Sequence, residues 1–195
     1  MLINTKAYLE KYIAENIIDN VSLDFELPDY DIDTQKIKAV IIHEDPTNTD
    51  DDYFTVPYFR KSGFEVNSIG DVIDSGVYMT SALKIEKVGK EAEPGVLSLY
   101  MPVLLHELLL FENLKVIILA GHTSIKAINY IAKWKTGKNL IPSATLSKIR
   151  QKDYQYNGIK VIPSYKMIVN FVPGGDRSET ICGDIMKMRR FIESV

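Results

Sequence analysis

Cysteine is almost missing from this chain. Cys182 is the single one among 195 residues, which excludes an intrachain disulfide framework and any all-cysteine metal site. Cys182 itself is expected to be a small core residue. Histidine is scarce too. His43, His106 and His122 are too scattered for a metal-ligand motif, so no metal and no other cofactor is expected. Long hydrophobic runs are also lacking. The longest, such as VIILA at 116–120, are too short to span a bilayer, which argues against a membrane partner. Positive charge is not in excess: the net charge is -3, so no global basic field gathers nucleic acid or a membrane surface. The first twenty residues alternate acids with apolar groups, unlike a signal peptide, and the expectation is a soluble, cytoplasmic protein. No repeat, linker or low-complexity tract is present.

What is present has ordinary globular proportions, with 46% hydrophobic and 25% charged residues. The length fits one domain, residues 1–195, large enough to bury most of its unfolded surface without staples.

The apolar pattern alternates between two periods. NTKAYLEKYIAENI places Tyr8, Leu9, Tyr12, Ile13 and Ile17 at helical spacing, with Asn4 or Thr5 as cap. IKAVII and KVIILA are short continuous runs of branched residues, suited to strands covered on both faces. GVYMTSALK reads as another strand after Gly76, and VLSLYMPVLLHELLLFEN as a helix with Pro102 near its start or a bend. HTSIKAINYIAKW is near-helical. YQYNGIKVI holds Asn157-Gly158 between two strand-like runs, a hairpin signal. RSETICGDIMKMRRFIES closes the chain as an amphipathic helix, with Ile181, Ile185, Met188 and Phe191 inward. Residues 51–70 are mixed and give no clear element. Strands separated by helices predict an α/β fold: a three-layer αβα sandwich around a short, mostly parallel sheet.

In such sheets ligands bind outside the carboxyl ends of the strands. The residues just after the four strand runs should therefore meet on one rim. They are His43, Glu44 and Asp45; Thr80 and Ser81; Gly121 and His122; and Ser164, Tyr165 and Lys166. Each segment alone is also what a polar loop looks like. Asp45 before Pro46 is a common turn starter, and the acidic run Asp50–Asp52 reads as a solvated loop.

The order of these segments resembles the uracil-DNA glycosylase superfamily over residues 37–193. The family's first strand ends in Gly-Gln-Asp-Pro-Tyr or Gly-Glu-Ala-Pro-Gly; here it ends in HEDPT, with Glu44, Asp45 and Pro46 matching one form or the other. A stacking aromatic follows, and YFTVP offers Phe54. The second strand ends in an asparagine that reads the base; here Ser81 stands in GVYMTSALK. VIILAGHTSIKAI matches the next strand and its helix. The last signature carries a histidine, where PSYKMI has Lys166. The four cysteines of the iron–sulfur branch are absent, so the resemblance implies no cluster.

The resemblance implies a glycosylase-like fold, DNA as partner and a nucleobase in the pocket. Asp45, with Glu44 as the alternative, would serve the sugar and Lys166 the departing base. His43, Pro46, Phe54 and Ser81 would hold the base. Tyr165, Met167, Ile168 and Arg177 would touch DNA, with Met167, Ile168 and Val169 as candidate wedge residues. Cleaving an N-glycosidic bond builds positive charge on the sugar and negative charge on the base, so a carboxylate and a cation are the required types. A serine hydroxyl cannot make the paired contacts of an amide, so relaxed uracil recognition is expected. The readings are a glycosylase of a deaminated or damaged base with altered preference or weak activity, or an inactive nucleobase-, DNA- or protein-binding member of the fold. A third is a nucleotide-binding protein outside the family, though no Gly-rich phosphate loop supports it. Lys84, Lys87, Lys90 and the SKIRQK segment are candidate phosphate contacts, or ordinary exposed lysines.

Overall fold

The computed structural model describes residues 1–16, 25–46, 52–86, 94–167 and 176–194, with the side chains of residues 52–54, 94 and 176 outside that set. Strand order decides where a site can lie. β3 (Ala39–His43), β4 (Val77–Ser81), β5 (Val116–Ala120) and β7 (Ile159–Ser164) are parallel, and β6 (Tyr154–Tyr156) pairs antiparallel with β7. Among the described residues the sheet has the order β4-β3-β5-β7-β6. Every position of β3, β4 and β5 is buried. Cover on both faces is the reason β3 and β5 are runs of mostly branched apolar residues without polar alternation.

Helices fill the crossovers. α2 (Asp52–Lys61) and α3 (Ile69–Asp74) lie between β3 and β4, α4 (Pro94–Leu108) between β4 and β5, and α5 (His122–Thr136) with the one-turn α6 (Leu146–Ile149) between β5 and β6. α7 (Asp176–Glu193) closes the domain. α4 packs with α5 on one face, joined by α1 (Thr5–Asn16), while α2, α3 and α7 cover the other. The result is the three-layer αβα sandwich around a mostly parallel sheet. β3 has β4 on one side and β5 on the other, so the chain path reverses there, and crevices form at the strand ends of such a switch point. No helix among the described residues is long and apolar enough to cross a membrane.

Several local expectations are met. The Asn4 side chain accepts the Ala7 N–H at 2.9 Å and caps α1. Asn157 (φ 50°) and Gly158 (φ 82°) turn the β6–β7 hairpin, the left-handed pair that a two-residue turn demands. On α7, Ile181, Ile185 and Met188 are buried and Phe191 is partly so. Others differ. Of the two places expected for Pro102, the start of α4 is excluded, since it lies well inside the helix. Residues 51–70, without a clear period, hold α2, with Pro57 in its interior, and the start of the six-residue α3, which begins at a Ser68–Asp71 capping box. An interior proline and a short helix both blur the 3.6-residue signal. A separate antiparallel ribbon of β1 (Leu2–Asn4) and β2 (Asp31–Asp33) is too short to show periodicity.

Candidate active site

The floor of the rim is set by register. His43 lies opposite Ser81, and Ala120 opposite Ser164. Side chains alternate across a strand, so Thr80 turns toward α4 while Ser81 and His43 turn to the α7 layer. Ser164 faces that layer too, its hydroxyl donating to Asp184 Oδ2 on α7 at 2.7 Å. His43, Ser81 and Ser164 are all buried. His43 Nε2 has no hydrogen-bond partner among the described residues. Burial pushes its pKa down to about 4, with Asp45 pulling it up and Lys166 adding to the depression. The imidazole is therefore neutral at neutral pH.

Just beyond the floor, the two carboxylates take different surroundings. Glu44 Oε1 accepts the Thr123 N–H at 3.0 Å, at the N-terminus of α5, where backbone donors lack intrahelical partners and a negative charge is favoured. Gly121 permits this approach: its φ is +115°, and a Cβ there would sit 2.7 Å from Glu44 Cγ. Asp45 is only 4% exposed. Its Oδ2 accepts from Lys166 Nζ at 3.4 Å, from a side chain that remains partly open to solvent. The segments that follow β3 and β7 therefore meet in an ion pair.

The remaining sequence candidates divide. Pro46 follows Asp45 and is partly buried. Two guanidinium groups approach the Tyr165 ring, Arg150 at 5.2 Å and Arg177 at 5.7 Å from its centroid; Arg177 is exposed and Tyr165 half-buried. Met167 is the correction: it is 3% exposed and its thioether packs in the hydrophobic core, so it offers no wedge to DNA. Ile168 and Val169 lie outside the described residues. Phe54 belongs to α2, and its side chain lies outside the described set. His106 stacks on Tyr8 and Tyr12, with centroids at 5.0 and 3.8 Å, and joins α4 to α1. Cys182 is buried. Asp50 and Asp51 are outside the described residues, and among those described no group of three His, Cys, Asp or Glu could hold a metal ion.

Two buried networks support the rim, and neither has a local signature in the sequence. Lys84, grouped with Lys87 and Lys90 as a surface cation, has no exposed area. It donates to Glu107 Oε2 at 2.7 Å and to Thr80 Oγ1 at 2.6 Å. Tyr78 donates to Glu107 Oε1 at 2.7 Å, and burial, then the Glu107 charge, pushes its phenol pKa well up. On the opposite face Arg150, from the SKIRQK segment, turns inward. Its Nη2 reaches both oxygens of Asp184 at 2.8 and 2.7 Å, and its Nε reaches Oδ2 at 3.1 Å. The signal that would expose these networks is pairwise, an acid in a distant helix, and no local pattern encodes it. Lys87 and Lys90 lie outside the described residues.

Comparison with known proteins assigns no family: no family model matches the chain, and no curated protein matches it either.

Proposed function

We propose that this chain is a DNA base glycosylase-like protein that cleaves the N-glycosidic bond of a deaminated or damaged base, with relaxed or altered base preference. The observation that carries the reading is the Asp45–Lys166 pair at 3.4 Å. It joins a carboxylate and a cation 121 residues apart in sequence at the carboxyl rim of the sheet, and these are the two charges that glycosidic cleavage requires. In the resting protein each neutralises the other. A nucleoside entering between them sets its sugar against Asp45 and its base against Lys166. As the C1′–N bond lengthens, the carboxylate steadies the cationic sugar and orients the attacking water, and the ammonium steadies the anionic base. Water forms the new C1′–O bond, and the base departs with a proton. His43 and Ser81, level with each other on the floor, are the side chains we assign to the base edge.

The test is incubation of the protein with oligonucleotides carrying uracil, hypoxanthine, xanthine or an oxidised base, followed by alkaline strand scission. We expect weak or no uracil release and cleavage at one of the other bases. Asp45→Asn and Lys166→Ala should each lower that rate by roughly 10²–10³-fold. Borohydride should trap no adduct, because an imine needs a neutral amine and the Asp45 carboxylate pairs with the ammonium. Excision that survives Asp45→Asn removes the assignment. A second reading is favoured by one observation, the near-complete burial of Asp45 under Lys166: a non-catalytic member of the fold that binds a base or DNA. Base binding without cleavage of any substrate would select it.

A further inference from the structure

The acids of this chain are not spread evenly. Residues 113–152 hold eight lysine and arginine residues and no aspartate or glutamate. That stretch carries +8 and the rest of the chain -11, which a net charge of -3 conceals. Arg150 is used internally on Asp184. Lys133, Lys135, Lys138, Lys148 and Lys152 are exposed and form no ion pair among the described residues.

Aromatic groups stand among these cations. Tyr130 is 44% exposed and Trp134, one turn further along α5, is 64% exposed. Neither position helps the core, which α5 reaches through Ile125, Ala127, Ile128 and Ile131. Beside Tyr130 runs a groove of about 440 Å³, bounded by α5 on one side and by Asn139, Pro142 and Ser143 on the other. His122 at its upper end and Lys133 at its lower end are eleven residues apart on one helix, a length of about 16 Å. At ~3.4 Å per stacked nucleotide that length of helix matches a run of about four or five nucleotides.

We propose that the outer face of α5, with the groove beside it, binds a single strand of nucleic acid. Lysines track the phosphates while Tyr130 and Trp134 stack on bases. Cationic grooves with exposed aromatic faces hold single strands in this way, since unpaired bases present the π-face that a duplex hides. An acidic polypeptide would meet the same lysines but has no use for two bare aromatic rings. The proposal stands apart from the Asp45–Lys166 chemistry, because none of the groove's lining residues belongs to that pair.

Trp134 is the chain's only tryptophan, so its emission reports directly on this face. Titration with a short oligothymidylate at low salt should quench it saturably, and a duplex of equal length should bind at least tenfold more weakly. Lys133→Ala/Lys135→Ala/Lys138→Ala should weaken binding tenfold or more. The slope of log affinity against log salt should also become shallower, by about 0.7 for each phosphate no longer neutralised. Tyr130→Ala should weaken binding while leaving the salt slope unchanged. Circular dichroism and thermal melting would verify that each variant is folded. Lys36→Ala, at an exposed lysine just before β3 and outside this face, should bind as the parent does, which ties the loss to the α5 surface. Absence of quenching, tighter binding of the duplex, or equal binding of polyglutamate insensitive to Tyr130→Ala would overturn the proposal.

Discussion

Gly121 and Glu44 share one small volume. The backbone at Gly121, φ +115° and ψ 177°, lies in a region that only glycine enters cheaply, and the carboxylate fills the space where a Cβ would be. Gly121→Ala should therefore cost about 1–3 kcal/mol from backbone strain alone, more with the clash, as read from denaturant unfolding. Glu44→Ala should cost about 1 kcal/mol through removal of the cap on Thr123. The double variant should cost less than the sum, because it keeps the strain but removes the clash. His43 gives a pH prediction. In the unfolded chain it protonates near 6.5 and in the folded one near 4, so the unfolded state binds the extra proton between those values. Stability should be full above about pH 6.5 and fall by up to about 3 kcal/mol as the pH drops toward 4. His43→Gln should flatten that part of the profile. At this scale the sequence was legible where the strand ends decide position. Asp45 and Lys166 were placed by their strand ends alone. The partner of Glu44 and the burial of Met167 were not, because a carboxylate or a thioether one step along a turn faces a different neighbour, and only packing says which.

The fully buried Lys84–Glu107 pair ties β4 to α4. Taking both charges out of water is costly, and that cost is offset by Thr80 and Tyr78, which donate into the same carboxylate. Lys84→Met leaves Glu107 without its cation in the core and should cost about 3–5 kcal/mol. Adding Glu107→Leu should recover part of that stability, while the Tyr78 and Thr80 hydroxyls stay deprived of their acceptor. Urea unfolding of the three variants checks the order. If Lys84→Met alone proved neutral, the pair would not be the tie described. Elements with a local signal were legible: the parallel strands by their short apolar runs, α1, α5 and α7 by their spacing, α4 by its apolar length and the hairpin by Asn157-Gly158. α2 and α3 were not, since a proline interrupts one and the other has fewer than two turns. Lys84 was misread for a related reason: lysine is normally exposed, and nothing within ten residues of it names Glu107.

At the scale of the molecule, the alternation of strand and helix was enough to predict layers and a rim, but not strand order, which depends on pairings far apart in sequence. β3 comes first in sequence among the parallel strands yet lies inside the sheet, between β4 and β5. Its partners are all made later. Parallel pairing of this kind is slow, because long loops must close before the contacts that reward them exist. Pulsed hydrogen exchange during refolding should accordingly show the β6–β7 hairpin amides protected before those of β3; protection of β3 first would contradict the long-range origin of its order. The same separation has a meaning on the ribosome. Asp45 leaves the exit tunnel well before Lys166 is translated, and at ~5–20 residues per second the interval is on the order of ten seconds. Throughout that interval a carboxylate destined for burial stands in water without its cation. A nascent chain thus carries only half of the ion pair, and nothing that needs both charges together can begin before Lys166 is made.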